Sequence, residues 1–343
     1  MTTSISSSAT QTIISAGTNP NALVLDATGI AQVGSINGGQ IGGRRNYFLN
    51  GSLAVFQRGN VTTAAGGSAY TADMIHVTAS AGLTCQVAQG DYGATLGPRG
   101  ARYNANIVFS GTGAAGSTVR LLIEDVTRFS AGSFTFSADM SSSVNQTITI
   151  ICRQHFGVGG SVSVDTSTSQ ALNASNETII KTFALPSTAG KTLGVGHHLE
   201  VIFVTGVANA HTLYLMNAQF ELGTVATTPE RMHPGDDLAA CRRCYETGKG
   251  LAGVLSSNLT RAFLAAGNDF KVAKRAVPAM AYTSTIVPTA NSISAYDSSG
   301  QVVISVPPGV SVDGLREFVQ TSTAMQTGIY YAYTWTAAAD LVP

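Results

Sequence analysis

Cys241 and Cys244 stand three residues apart in PERMHPGDDLAACRRCYETG, residues 229–248, and form the one close cysteine pair of the chain. Such a pair can ligate zinc or cycle as a dithiol. A structural zinc site needs four ligands, and beyond His233 no others follow at a fitting spacing. A redox couple of the thioredoxin type needs a strand–helix–strand setting, which the flanking sequence lacks. Reduced cysteine also packs as a small hydrophobe. Leu238, Cys241 and Tyr245 fall at i, i+3 and i+7, an apolar stripe on a helix. Packing is the expected role, and no metal or cofactor is expected.

The remaining reactive combinations read as structural. Glu124 and Asp125 are adjacent at a strand end, so their side chains point to opposite faces and do not flank one glycosidic bond. Asp236 and Asp237 open a helix, where negative charge complements the helix dipole. His197 and His198 alternate across a strand and do not easily grip one metal. GVGGSV, residues 157–162, joins two strands and reads as a turn, not a phosphate cradle. There is no Gly-x-Ser-x-Gly elbow, nucleotide loop or His-Glu-x-x-His helix. No catalytic residue is expected, and the chain reads as a non-enzyme. The aromatic run IYYAYTW is different. Tyr331, Tyr333 and Trp335 share one strand face, and such rings stack on sugars while keeping a polar edge for hydroxyls. Tyr282 and Tyr296 extend this candidate ligand-binding set. The competing and commoner use of large aromatics is core or subunit-seam packing.

The elements that must carry these residues are strands. Between 44 and 235, runs such as LTCQVAQ, SFTFSADM, QTITIICRQHF and HHLEVIFVTG alternate or are β-branched, with Gly, Ser or Asn between them. In SFTFSADM, Phe134, Phe136 and Ala138 point one way and their polar partners the other. This predicts an all-β jelly-roll sandwich over 44–235. A short connecting helix is predicted over 236–248, capped by Asp236 or Asp237 and stopped by Gly248. Strands return over 249–343 and predict a second, smaller β-sandwich. Residues 1–43 carry one charged side chain, Asp26, and strand-forming pieces, TIIS and ALVLD, between turn signals. They form an extended segment expected to fold against other chains.

The 343 residues hold 19 Lys plus Arg and 19 Asp plus Glu, so the formal charge is zero and neither nucleic acid nor an anionic membrane is expected as a partner. Charged residues make up 11% of the chain, well below the usual share of about a quarter. A surface so poor in charge suits close association with copies of itself or with a neutral partner. No run approaches the ~18 apolar residues a membrane helix needs, and the start MTTSISSSAT has no signal-peptide pattern. Four scattered cysteines do not make a disulfide framework.

QFELGTVATTPERMHPGDDLAACRRCYE resembles the end of a module of bacteriophage and prophage tail-fibre-like virion proteins, in which an acidic strand end, a TPFE-like turn and a helix with a Cys-x-x-Tyr-Tyr-like pattern follow one another. Cys244 replaces the first Tyr of that pattern. RRNYFLNGSLAVFQRG, YTADMIHV, LLIEDVTRFSAGSFTFSADM and QHFGVGGSVSV resemble earlier parts of the module in the same order, and FKVAKRAVPAMAY and YYAYTWTAAADL the C-terminal domain that accompanies it. The resemblance implies a jelly roll of the carbohydrate-binding kind, in a homotrimeric fibre or spike made in the host cytoplasm and built into the virion. It further implies attachment to host surface glycan, with residues 1–43 joining other virion proteins. A head-fibre, collar or decoration protein with a purely structural role is the alternative, and a polysaccharide depolymerase ranks behind both.

Overall fold

The computed structural model of the chain describes residues 43–249, 270–281 and 334–341 in full, and elsewhere describes strands by their backbone alone. Four strands open the chain: β1 (Thr3–Ser8), β2 (Gln11–Ala16), β3 (Leu23–Asp26) and β4 (Ala31–Gln32) pair in order as an antiparallel meander. The pieces TIIS and ALVLD supply β2 and β3, so this segment is a small sheet and not simply extended chain.

Twelve strands follow: β5 (Val61–Thr62), β6 (Ser68–Tyr70), β7 (Ile75–Thr78), β8 (Leu83–Asp91), β9 (Tyr103–Thr112), β10 (Thr118–Glu124), β11 (Gly132–Ser142), β12 (Gln146–His155), β13 (Val164–Leu172), β14 (Glu177–Leu185), β15 (His198–Val204) and β16 (Asn209–Leu222). They form two six-stranded antiparallel sheets, β13-β12-β15-β10-β7-β6 and β14-β11-β16-β9-β8-β5. From β9 to β16 the chain crosses between sheets at nearly every connection, which is jelly-roll wrapping. The predicted fold class holds.

Alternation puts Phe134, Phe136, Ala138 and Met140 of β11 between the sheets, where they meet Val201 and Phe203 of β15 and Ile148 and Ile150 of β12. Phe134 and Phe220 stack at 5.7 Å, and Phe48 meets Phe220 at 6.0 Å. The polar residues of β11 point outward as predicted, yet they too are buried. Two irregular segments, 92–100 and 223–231, lie across that outer face and cover them.

Buried side chains hold such segments down. Asn46 Oδ1 accepts from Phe48 N at 3.0 Å and Phe220 N at 3.1 Å, and Nδ2 donates to Ala218 O at 2.9 Å. The amide of Asn46 donates to Glu230 Oε2 at 2.7 Å. Glu221 accepts from Thr227 N and Oγ1, and Gln219 Oε1 accepts from Glu230 N at 2.7 Å.

The helix α1 (Pro234–Arg242) is shorter than predicted and starts earlier. His233 caps it through Nδ1 and Gly235 N at 3.2 Å. Asp237 instead turns inward, accepting from Asn50 N and Ser52 Oγ. Tyr245 and Gly248 belong to the next strand, so Gly248 is no helix stop and Tyr245 does not complete a helical stripe. The remaining strands are β17 (Tyr245–Gly253), β18 (Arg261–Leu264), β19 (Ala279–Ser284), β20 (Ile293–Asp297), β21 (Gly300–Ile304), β22 (Val319–Gln320) and β23 (Tyr330–Ala338). Five form a sheet in the order β19-β23-β17-β18-β22, and β20 and β21 pair across YDSSGQ, with β20 alongside β23 and β19.

Asn46→Ala strands three buried backbone groups, so it is expected to lower stability by about 3 kcal/mol in urea unfolding; a loss under about 1 kcal/mol would show the clamp to be incidental.

Candidate binding face and reactive clusters

The outer face of the second sheet is covered only in part. Loop 92–100 is anchored over it by Asp139, whose carboxylate accepts from Arg99 Nε at 2.9 Å, Thr178 Oγ1 at 2.7 Å and Asn217 Nδ2 at 2.7 Å. Asn217 sits at a bulge in β16 with φ +47°, and its Nδ2 also donates to Pro98 O at 2.9 Å.

Beyond this cover lies an open platform. Tyr214 stands opposite Asn106, and Asn106 opposite Ala88; in the next row Thr212, Val108, Gln86 and Thr62 are successive partners. Leu213 and Leu215 face the core, so Thr212 and Tyr214 face out. Tyr92 enters from the loop and its hydroxyl donates to Met216 Sδ at 3.2 Å. Burial raises the Tyr92 phenol above its ordinary pKa, and the neighbouring Tyr214 adds to that. Two glycines make the packing possible: a Cβ on Gly97 would lie 2.6 Å from the Tyr92 ring, and one on Gly90 2.0 Å from Asn104 Oδ1. Asn104 Nδ2 donates to Asn106 Oδ1 at 2.6 Å, which fixes both amides. The platform thus offers two half-buried rings, the Asn106 amide that buried Asn104 orients, and the Gln86, Thr212 and Thr62 side chains, with no charge among them. That combination suits a polyhydroxylated ligand with an apolar face. An open groove of about 510 Å³ beside Asn145, Gln170 and Glu177 is also amide-rich, but its lining carries no aromatic ring.

The sequence-predicted aromatic set fares differently. Trp335 is 5% exposed and packs on Phe270 at 5.4 Å. Its strand partner is Gly248, where a Cβ would meet the indole at 2.3 Å. Trp335 is a core residue and has no free face for a sugar. Tyr331 and Tyr333 lie on β23, Tyr282 on β19 opposite Trp335, and Tyr296 on β20; their side chains lie outside the described residues. Tyr92, Tyr214, Asn104 and Asn106 were not singled out in the sequence. Asn104 and Asn106 alternating with Ala105 and Ile107 was the available signal, but the partnership with Tyr214 needs the register.

The other reactive groups are committed to structure. Cys241 and Cys244 are buried free thiols. Burial pushes the Cys85 thiol to about 12 and those of Cys152, Cys241 and Cys244 further up. Glu124 pairs with Arg243 at 3.1 Å and Arg275 at 3.5 Å, whereas Asp125 accepts from Thr127 N at 3.0 Å and closes a turn. His197 Nδ1 lies 3.6 Å from Asp125, and His198 turns away from it. His198 is fully buried, with Nδ1 2.7 Å from Gly196 O and Nε2 2.8 Å from Glu200 Oε1. Burial works against the Glu200 charge, yet His198, Arg120 and Arg153 hold its carboxyl below the usual range. Among the described residues no group of three His, Cys, Asp or Glu is placed to hold a metal ion. GVGGSV forms a turn, bridged by Val158 and Val195.

No protein-family model matches the chain, and no curated protein matches it. Among solved structures it is similar to TmCBM61 in complex with β-1,4-galactotriose (11% identity, 52% of this chain and 99% of that one, TM-score 0.30). It is also similar to the family 11 carbohydrate-binding module from Clostridium thermocellum in complex with a β-1,3-1,4-mixed-linked tetrasaccharide (13% identity, 48% and 100%, TM-score 0.31). A third is the enzymatically active domain of bacteriophage CBA120 tailspike protein 4 (14% identity, 52% and 21%, TM-score 0.32). Likeness at these TM-scores does not bear on function, and the platform's chemistry stands on this chain's own residues.

Two outcomes are expected. A maleimide leaves the native protein unlabelled and reacts with all four cysteines only after unfolding; rapid native labelling at Cys241 or Cys244 would reopen the reactive-thiol reading. His76, beside Arg120 on the neighbouring strand, is held at about 4 instead of 6.5, first by burial and then by the Arg120 charge. Below about 6.5 the unfolded chain therefore takes up a proton that the folded chain refuses, and stability falls as pH drops towards about 4. His76→Gln should lose less stability than the parent between pH 7 and 4.5 in urea unfolding; parallel losses would exclude His76 as a source.

Proposed function

We propose that this chain is a non-enzymatic virion attachment protein, a tail fibre or spike, whose jelly roll binds host-surface glycan on the outer face of its second sheet. The observation that carries the reading is the neutral platform of Tyr92, Tyr214 and Asn106, held from beneath by the buried Asn104 and open beside a face that is otherwise covered. A single sugar on so shallow a surface binds weakly. Three copies on one fibre, and many fibres on one particle, raise the effective concentration enough for firm attachment. The charge-poor composition and the likeness of residues 44–343 to tail-fibre-like modules support a homotrimer, with residues 1–43 seated on other virion proteins.

A purely structural head-fibre, collar or decoration role has one observation in its favour. Val162 is 88% and Val195 83% exposed, with Val158 and Leu193 beside them on the loops at one end of the sandwich, an apolar tip suited to assembly contacts.

Binding of the purified full chain to extracted host-surface polysaccharide separates the two. Tyr214→Ala is expected to weaken that binding at least tenfold with an unchanged unfolding midpoint; retention of wild-type binding would overturn the platform assignment. The mass in solution is expected to be that of a trimer, and a monomer at micromolar concentration would contradict the fibre.

A further inference from the structure

Where loop 92–100 ends and the approach to α1 begins, the two segments enclose a cavity of about 310 Å³. Ala54, Tyr103, Met232 and Pro234 give it an apolar wall, and Asn217 of the β16 bulge lines it too. Two guanidinium groups reach it, Arg102 and Arg231, and no carboxylate does. Arg102 is compensated by Asp91 in a half-exposed pair at 2.5 Å. Arg231 is different. It donates to the carbonyl of Arg99 and, at 3.5 Å, to Asn217 Oδ1, and among the described residues no carboxylate pairs with it. Gly100 allows this placement: its φ is +74°, and a Cβ there would press on both terminal nitrogens of Arg231 at 3.3 Å.

We propose that this cavity is a subsite for a carboxylate-bearing sugar, with Arg231 receiving the carboxylate and Arg102 at its mouth. The inference rests on the glycan-binding reading and names the class of glycan, an acidic surface polysaccharide. A planar guanidinium takes a carboxylate through two parallel hydrogen bonds. A small inorganic anion would leave the apolar wall bare, whereas a pyranose ring lays its C–H face against such a wall and offers hydroxyls to Asn217. The volume is at the lower end of ligand pockets, of the scale of one or two sugar units. Asn217 follows Met216, the residue under Tyr92, so cavity and platform share the bulge and a polysaccharide lying along the sheet meets both.

Methionine provides the probe for each site: Met232 lines the cavity and Met216 lies under the platform. The full chain, labelled at methionine methyls, is titrated with glucuronate, galacturonate, N-acetylneuraminate, glucose and acetate. At least one acidic sugar is expected to shift the Met232 methyl, with at least tenfold weaker binding in Arg231→Gln and a partial loss in Arg231→Lys. Glucose is expected to leave Met232 in place. The proposal is overturned if no acidic sugar moves Met232, if acetate moves it as strongly, or if Arg231→Gln binds as the parent does. An unperturbed methionine spectrum of each free variant shows that it is folded. The platform is read separately, through Met216 and Tyr214→Ala with neutral polysaccharide, so either assignment can fail alone.

Discussion

The architecture depends on satisfying polar backbone groups where irregular chain is buried against a sheet. Segments 43–57 and 223–235 are not strands of either sheet, yet they lie against the sandwich; alternate residues of the first are buried, and the second stays half-buried to exposed while covering the outer face. An amide left unpaired there costs about 1–3 kcal/mol. Asn46 and Asn50 answer this by acting as pieces of backbone. Asn50 Oδ1 accepts from Val55 N at 2.8 Å and its Nδ2 donates to Val55 O at 2.8 Å, a strand-like pair made by one side chain. Asp73 does the same for Gln57, accepting from its amide at 3.0 Å and its side chain at 2.7 Å. Without these clamps the second sheet would be open along its whole outer side, and there would be no bounded platform and no cavity.

Charge is handled in the same economical way. Among the described residues some buried charged side chains are paired, Glu200 with His198 and Arg120, Glu246 with Lys274 at 2.6 Å, Arg58 with Asp340 at 2.5 Å, whereas Asp73, Glu221 and Asp237 are met by neutral donors. Buried pairs of this kind specify one arrangement more than they stabilise it. The proposed platform is left neutral, and of the two guanidinium groups at the neighbouring cavity Arg102 is paired with Asp91 while Arg231 has no carboxylate partner among the described residues.

Much of this fold was legible in the sequence. The period-2 runs marked the strands, and SFTFSADM revealed which side of β11 is core. The motifs that carried the family resemblance proved to be the clamps: Asn46 and Gln57 in RRNYFLNGSLAVFQRG, and Gln219, Glu221 and Glu230 around the TPER turn. Their types were visible and their purpose was not, because Asn46 and Gln57 bond partners 184 and 188 residues away, at Glu230 and Tyr245. The platform was hidden for a related reason. Tyr214 and Asn106 become neighbours only through the register of β16 on β9. Trp335 alternates on β23 as its spacing predicts, but that its own ring is buried depends on Gly248 of the neighbouring strand. Gly248 was read as punctuation for a helix when its use is to make room for an indole.

The C-terminal sheet is joined to the jelly roll through two strands that run side by side. Tyr245, where β17 begins, pairs with Ala338, where β23 ends. Just outside them, Ala339 N donates to Cys244 O, Gln57 Nε2 to Tyr245 O, and the Tyr70 hydroxyl to Leu341 O. A third stretch of chain joins them there: Arg275 N donates to Arg243 O, Lys274 Nζ to Arg242 O, and the Arg275 guanidinium pairs with Glu124 of β10. The junction is therefore stitched from three stretches of sequence, and loosening any one of them leaves the other two to hold the C-terminal sheet to the jelly roll.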